Sequence, residues 1–325
     1  MTVQILVGDC RERLRQMEAG GVHTCVTSPP YFGLRDYGHA GQIGLEPTPD
    51  RFVAAMVEVF REVRRVLRDD GTVWLNLGDS YARAGGWSNN SGLDGVSRAE
   101  GQRAKSNMTG GGASQKLAHG LKEKDLIGIP WMVAFALRAD GWYLRQDIIW
   151  AKPNPMPESV TDRCTKAHEY IFLLSKSPRY YFDAAAIAET ANYQPGGSHT
   201  DVLQGGFNDK GEIPGQGQRA FRAIRETRNR RSVWTVPTQP FADAHFATYP
   251  PDLIEPCILS GCPIGGTVLD PFGGAGTTGL VADRHGRNAV LIELNPAYAA
   301  MAQNRLKADG GMFSAVTIAD ELEPA

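Results

Sequence analysis

The chain is short of several things that would place it quickly. No apolar run in its 325 residues approaches the roughly 18 needed to cross a bilayer, so no membrane association is expected. The opening residues Met1 to Leu6 have no basic start and no long apolar stretch, which reads against a secretory leader. The five cysteines, Cys10, Cys25, Cys164, Cys257 and Cys262, form no Cys-x-x-Cys pair. That excludes a zinc-ribbon pattern and a disulfide scaffold, and points to reduced thiols in a cytoplasmic protein with no bound metal. Charge of either sign is also scarce as an excess: 34 basic against 36 acidic residues leave a net −2. Internal repeats are absent. No Gly-Lys-Ser or Gly-Lys-Thr follows the one glycine-rich loop, which removes the ATPase type of phosphate cradle.

What is present alternates. Strand-forming segments are expected at 4–8, 22–27, 72–77, 142–150, 168–174, 267–270 and 288–293, from runs rich in Val, Ile, Leu and aromatics. Helices are expected between them: from an Asp9 cap to Gln16, from an Asp50 cap to Leu67, from Asp125 to Arg138, and over 250–259, 276–284 and 296–306. In the second, Phe52, Val53, Met56, Val59, Phe60, Val63, Val66 and Leu67 recur at three and four residues and predict one buried stripe. Alternating strands and helices imply an α/β fold with a mostly parallel sheet covered on both faces. The segments 142–150 and 168–174 are expected to pair as a hairpin. Residues 82–120, rich in glycine and polar side chains without an apolar period, predict a mobile loop or partly disordered insertion, either passive or ordering on a large ligand such as DNA.

Two loops carry the chemistry. The run Val22 to Thr27 stops at Ser28-Pro29-Pro30-Tyr31, because two prolines lack the donors a central strand needs. The stop presents Ser28 and Tyr31 on a stiff loop at a strand end, where open α/β sheets bind ligands. More than two hundred residues later, Val268-Leu269-Asp270 runs into Pro271-Phe272-Gly273-Gly274-Ala275-Gly276-Thr277. Glycines between a strand and a helix allow close approach of backbone to a ligand. Gly279 follows Gly276 by three, but the register does not support a dinucleotide site. Glu293, 23 residues after Asp270, ends the next strand and can accept two ribose hydroxyls. Asp270 suits a cationic part of the ligand, so a nucleoside with an amino-acid tail fits better than a pyrophosphate. Between these loops lie Arg219, Arg222, Arg225, Arg228, Arg230 and Arg231, opposed within their own span by Glu226 alone. Arginine's fork of donors makes phosphate or base contact their expected role.

These motifs resemble those of amino-group DNA methyltransferases that use S-adenosylmethionine. Ser28-Pro29-Pro30-Tyr31 matches the catalytic motif, and Phe272-Gly273-Gly274-Ala275-Gly276 the cofactor motif. The catalytic motif comes first, an order that resembles the circularly permuted β class. The resemblance implies a Rossmann-like seven-stranded methyltransferase sheet with a small irregular target-recognition insertion. It divides the chain into a catalytic half at 1–185, a target-recognition region at 186–240, a cofactor half at 241–310 and a tail at 311–325. It implies S-adenosylmethionine as cofactor, with Asp9, Asp270, Phe272, Gly274, Gly276, Thr277 and Glu293 around it and the segment from His245 to Pro250 near its methionine part. It implies Ser28, Pro29, Pro30 and Tyr31 as the catalytic set: Ser28 and the Pro29 carbonyl accept amine hydrogens, and Tyr31 stacks on a flipped base. Double-stranded DNA is the implied partner; a homodimer and a cognate restriction endonuclease are raised alongside it. Serine in the first motif position favours cytosine N4 over adenine N6, with Asp36 a second candidate acceptor. Adenine stays open, as do methylation of RNA or protein and a DNA-binding module without activity. Pro256-Cys257 lies in an expected apolar helix, so Cys257 reads as a core thiol rather than the nucleophile of carbon-5 chemistry.

Overall fold

A computed structural model describes residues 1–34, 39, 41–82, 121–191, 227–239, 249–310 and 315–319. In chain order the elements are β1 (Thr2–Val7), α1 (Cys10–Gln16), β2 (Val22–Thr27), α2 (Pro49–Val66), β3 (Leu67–Leu77), α3 (Ile129–Ala139), β4 (Tyr143–Ala151) and β5 (His168–Ser175). There follow β6 (Glu189–Thr190), β7 (Thr227–Arg228), β8 (Val233–Thr235), α4 (Pro251–Gly261), β9 (Thr267–Asp270), α5 (Thr277–Arg284), β10 (Asn288–Glu293), α6 (Pro296–Gly310) and β11 (Ala315–Ala319). No described helix is long and apolar enough to cross a membrane.

Among the described residues one sheet holds nine strands in the order β11-β1-β10-β9-β2-β3-β5-β4-β8. Every pairing in it is parallel except those of β5, which runs antiparallel to both β3 and β4. The seven expected strands are all in it. The two additions, β8 and β11, are short and sit at the edges, where pairing to one neighbour suffices and the sequence needs no apolar run. The expected hairpin forms, with Trp150 opposite Glu169 and Ile148 opposite Ile171.

Period-two alternation sorts side chains to two faces. On β3, Val73, Leu75 and Leu77 join the layer under α1, α2 and α3, whereas Trp74 joins the layer under α4, α5 and α6. On β5, Phe172 and Leu174 go to the first and Ile171 and Leu173 to the second. The stripe of α2 is buried as expected except at Val53, which is half-buried.

Two helix starts differ from expectation. Thr48, not Asp50, caps α2: its side chain accepts from the Arg51 amide at 3.2 Å. Pro49, with its preset φ, already occupies the first turn and moves the start back. The third helix begins at Ile129 rather than near Asp125, because Lys124 and Asp125 are held by backbone bonds to Ala82. The Asp79 carboxylate then receives the amides of Gly128 (3.0 Å) and Ile129 (3.2 Å), capping the helix from a distant loop.

The chain divides into two compact units, Met1–Asp183 with Ser232–Ala325, and Ala184–Arg231. In the second, β6 and β7 pair antiparallel, and Glu189 accepts from Arg228 Nε at 3.2 Å and Arg231 Nε at 3.0 Å. Glu189, earlier in the chain, thus opposes two of the arginines. Arg219, Arg222 and Arg225 lie outside the described residues, as do Asp36, residues 245–248 and the expected mobile loop from residue 83 onward.

Candidate active site

The sheet order puts β2 beside β9, so the two motif loops leave neighbouring strand ends. A hydrogen bond joins them across 243 residues: Thr27 Oγ1 donates to Asp270 Oδ1 at 2.6 Å. The same carboxylate accepts from the Phe272 amide at 3.0 Å, Thr278 Oγ1 at 2.6 Å and the Tyr249 hydroxyl at 2.9 Å. Asp270 is 1 % exposed. Burial pushes its carboxyl above the ordinary range, against the lowering effect of these four donors. The expectation that Asp270 holds a cationic part of the ligand is corrected here: the carboxylate is enclosed behind the cavity wall and its bonds bind the two loops together.

The glycine loop splits into two jobs. Gly274, at φ +49°, lines the cavity, and a Cβ there would meet nothing nearer than the Phe272 carbonyl at 3.9 Å. The space in front of it is free for a ligand. Gly276, at φ +77°, does not line the cavity; a Cβ would stand 3.0 Å from Ala302 Cβ. Its missing Cβ serves packing, letting α5 start in a left-handed turn close to α6. Thr277 lines the cavity while its hydroxyl accepts from Arg305 at 2.9 Å. Phe272 lines it too.

Glu293 ends β10 at the cavity, half-buried. Its Oε2 accepts from the Gly274 amide at 2.8 Å and its Oε1 from the Asn295 amide at 2.9 Å. Burial raises its carboxyl above the usual range despite both amides. Each oxygen still has a lone pair to offer. Gly8, next to Asp9, donates its amide to the Glu293 carbonyl at 2.9 Å, which brings Asp9 to the same wall. For Asp9, burial raises the carboxyl, but bonds from the Arg11 guanidinium and amide outweigh it and leave it below the ordinary value.

The facing wall carries Ser28, Pro29, Pro30 and Tyr31. The loop is packed tightly: a Cβ on Gly44 would lie 3.3 Å from Pro30 Cβ, and one on Gly78 only 2.4 Å from Tyr31 Cε2. The Tyr31 hydroxyl donates to Glu169 Oε2 at 2.6 Å. Asn76 Nδ2 reaches the same oxygen at 3.2 Å, and Lys152 Nζ pairs with Glu169 Oε1. Lys166 also lines the cavity; its ammonium donates to the Asp79 carbonyl at 3.1 Å, and burial depresses its pKa. Asn76, Lys152, Lys166 and Glu169 were not among the residues singled out from sequence. The available signal was a polar residue inside an apolar strand: Asn76 between two leucines, and Glu169 opening a strand of Ile, Phe and Leu.

Together these residues enclose one cavity of about 750 Å³. That is ample for a nucleoside-sized ligand beside a base. No group of His, Cys, Asp and Glu among the described residues could hold a metal ion. Cys257 is buried in α4, with Sγ 3.8 Å from the Leu253 carbonyl, away from this cavity.

Comparisons with known proteins agree with this geometry. The profile of a family described as DNA methylase, grouping N6 and N4 enzymes, matches residues 22–304. The chain is 46 % identical over 302 residues to the type II methyltransferase M.Cfr9I of Citrobacter freundii, covering 93 % of this chain and 87 % of that one. A structure from Thermus thermophilus, assigned as a putative DNA modification methylase and complexed with S-adenosyl-L-methionine, superposes with a TM-score of 0.59 at 24 % identity, covering 98 % and 100 %. PvuII DNA methyltransferase, described as cytosine-N4-specific, superposes with a TM-score of 0.60 at 18 % identity, covering 93 % and 86 %.

Proposed function

This chain belongs to the N6/N4 DNA methylase family, and on that premise we propose that it methylates the exocyclic N4 amine of a cytosine extruded from double-stranded DNA, with S-adenosylmethionine as donor. The carrying observation is Ser28, a neutral hydroxyl on the stiff loop that shares one cavity with Gly274 and Glu293. At 18 % identity, the likeness to the cytosine-N4-specific structure speaks for the fold alone, so the choice of cytosine rests on Ser28.

S-adenosylmethionine, when bound, supplies an electrophilic methyl group on a sulfonium. Glu293 would accept its ribose hydroxyls, with Gly274, Phe272, Thr277 and Asp9 around it. On the other wall, an exocyclic amine is a poor nucleophile because its lone pair is conjugated with the ring. The Ser28 hydroxyl and the Pro29 carbonyl accept its hydrogens and so favour a pyramidal nitrogen as positive charge develops. Tyr31 stacks on the base, offsetting part of the few kcal/mol that extrusion costs. Pro29 and Pro30 stiffen the loop, and the clamp from Thr27 to Asp270 keeps its strand end against the cofactor loop.

The arginine segment 219–231 supplies DNA contacts. Of its members, Arg228 and Arg231 are pre-positioned by Glu189. A homodimer and a cognate restriction endonuclease complete the reading, the latter supported by the likeness to a type II methyltransferase. A cytoplasmic location follows from the same role.

The test is to incubate the protein with unmethylated duplex DNA and methyl-labelled S-adenosylmethionine, digest the DNA to nucleosides and identify them by mass. N4-methylcytosine is expected. N6-methyladenine alone would overturn the choice of base, and no incorporation across diverse duplexes, with cofactor bound, would overturn the enzyme reading.

A further inference from the structure

Glu169 is the joint of the base-side wall. One oxygen takes the Tyr31 hydroxyl at 2.6 Å and the other takes the Lys152 ammonium. The pair is enclosed, with Lys152 18 % and Glu169 14 % exposed. A charge pair shielded from water on most sides recovers its desolvation cost only with good geometry, and well-packed apolar residues often do as well. Its presence on a cavity wall therefore asks for a use beyond packing.

An ammonium has three donors. Glu169 engages one, and Lys152 Nζ stands 4.2 Å from the centre of the Trp150 ring, a cation–π contact that fixes its direction. Among the described residues no second acceptor is bonded to Nζ, and Lys152 lines the same cavity as Ser28 and Tyr31. It is linked to Tyr31 through a single carboxylate, so the stacking ring and the ammonium are held in one fixed relation.

Resting on the reading that the target is a cytosine, we propose that Lys152 is a specificity-determining residue, whose ammonium, oriented by Glu169, donates to the O2 carbonyl of the extruded base. In cytosine, O2 lies on the ring carbon one atom beyond N3, counted from the carbon that bears the amine. The matching ring position of adenine is a C–H. With the amine held at Ser28, cytosine satisfies the ammonium and adenine leaves it unpaired. A site built to hydrogen-bond a group discriminates strongly against the analogue that lacks it. Glu169 acts here as a positioning residue for both Tyr31 and Lys152.

The experiment compares duplexes identical except for cytosine or adenine at the methylated position, whose place is first mapped with the wild-type protein. The ratio of kcat/KM for the two is measured, together with the ratio of Kd in the presence of S-adenosylhomocysteine. Lys152→Met is expected to lower the cytosine-over-adenine ratio of kcat/KM and the adenine-over-cytosine ratio of Kd about tenfold or more each, the loss of one charge-assisted hydrogen bond, whereas Lys152→Arg keeps them within about threefold of wild type. If Lys152→Met lowers both substrates in proportion and leaves the ratios unchanged, Lys152 is only a counter-ion for Glu169 and the proposal is overturned. Should Lys152→Met fail to fold, Lys152→Gln, which retains a neutral donor for Glu169, is read by the same ratios. The wild-type arm separates this from the underlying reading: wild type that prefers the adenine duplex removes the cytosine assignment before any variant is examined.

Discussion

Apart from Asp9, which is paired with the Arg11 guanidinium, the two walls of the cavity use carboxylates in opposite ways. On the cofactor side, Asp270 and Glu293 bond backbone amides and neutral hydroxyls, and among the described residues no cation forms an ion pair with either. They shape loops. On the base side, Glu169 bonds side chains, one of them an ammonium, and so holds the groups that would meet a substrate. The first arrangement suits a ligand that must be gripped by backbone; the second suits a base that must be stacked, read and released. Damage to the first should cost fold and cofactor together. Damage to the second should cost transfer while cofactor binding persists.

The largest effect expected is from Asp270→Ala. It takes the shared acceptor from the Thr27 hydroxyl and the Phe272 amide in a buried site, and leaves the Thr278 and Tyr249 hydroxyls with only each other and the Val26 carbonyl. At about 1–3 kcal/mol for each buried group left unsatisfied, with partial relaxation, the loss is about 3–5 kcal/mol. Urea unfolding should show it, along with loss of S-adenosylmethionine binding. A variant of wild-type stability would break the contrast between the walls.

Gly78→Ala tests the other wall at a lower cost. The backbone at Gly78 has no positive φ, so alanine is strained only by the Tyr31 ring 2.4 Å from its Cβ. Displacing that ring costs about 1–2 kcal/mol of overpacking and misplacement, so methyl transfer should fall roughly fivefold to thirtyfold. Isothermal titration should find the S-adenosylmethionine affinity within about twofold of wild type, since no cofactor-side group moves. Equal losses in both would show that the walls are not separable.

The smallest effect sharpens the cofactor side. Burial raises the Glu293 carboxyl above the usual range, so on acidification it protonates before exposed carboxylates do. If the ionised form accepts the ribose hydroxyls, the protonated form binds more weakly and affinity falls as pH drops through the Glu293 pKa. Titrations from about pH 7 into the acid range should show this decline, beginning before exposed carboxylates protonate. In Glu293→Gln the affinity should be lower at about pH 7 and flat over that window, because the amide does not titrate; an unchanged pH slope in the variant would assign the titration to another group.

Much of this was legible in sequence because it is local. Ser28-Pro29-Pro30-Tyr31 must end a strand wherever it occurs, since proline has no amide hydrogen. The stripe from Phe52 to Val63 must bury one face of a helix. Partner identity was less legible. Asp270 reads as a ligand-facing acid until Thr27, Thr278 and Tyr249 are seen around it. Gly276 looks equivalent to Gly274 until Ala302 is seen against it. Glu169 and Lys152 lie in segments that sequence reading treats as strand and proline loop, and neither gains meaning until β4 and β5 pair beside the loop after β2.

By itself the sequence determined the alternating architecture, seven of the strands, the two motif loops and their order, because these follow from period, propensity and the backbone chemistry of glycine and proline. Only the tertiary structure decided which acids face the cavity and which are enclosed, which glycine gives access and which gives packing, and that a lysine and a glutamate complete the base-side wall. Those outcomes depend on contacts between residues far apart in the chain. The Thr27 to Asp270 bond spans 243 positions, and its partners are chosen by strand order, which no local property of either segment encodes.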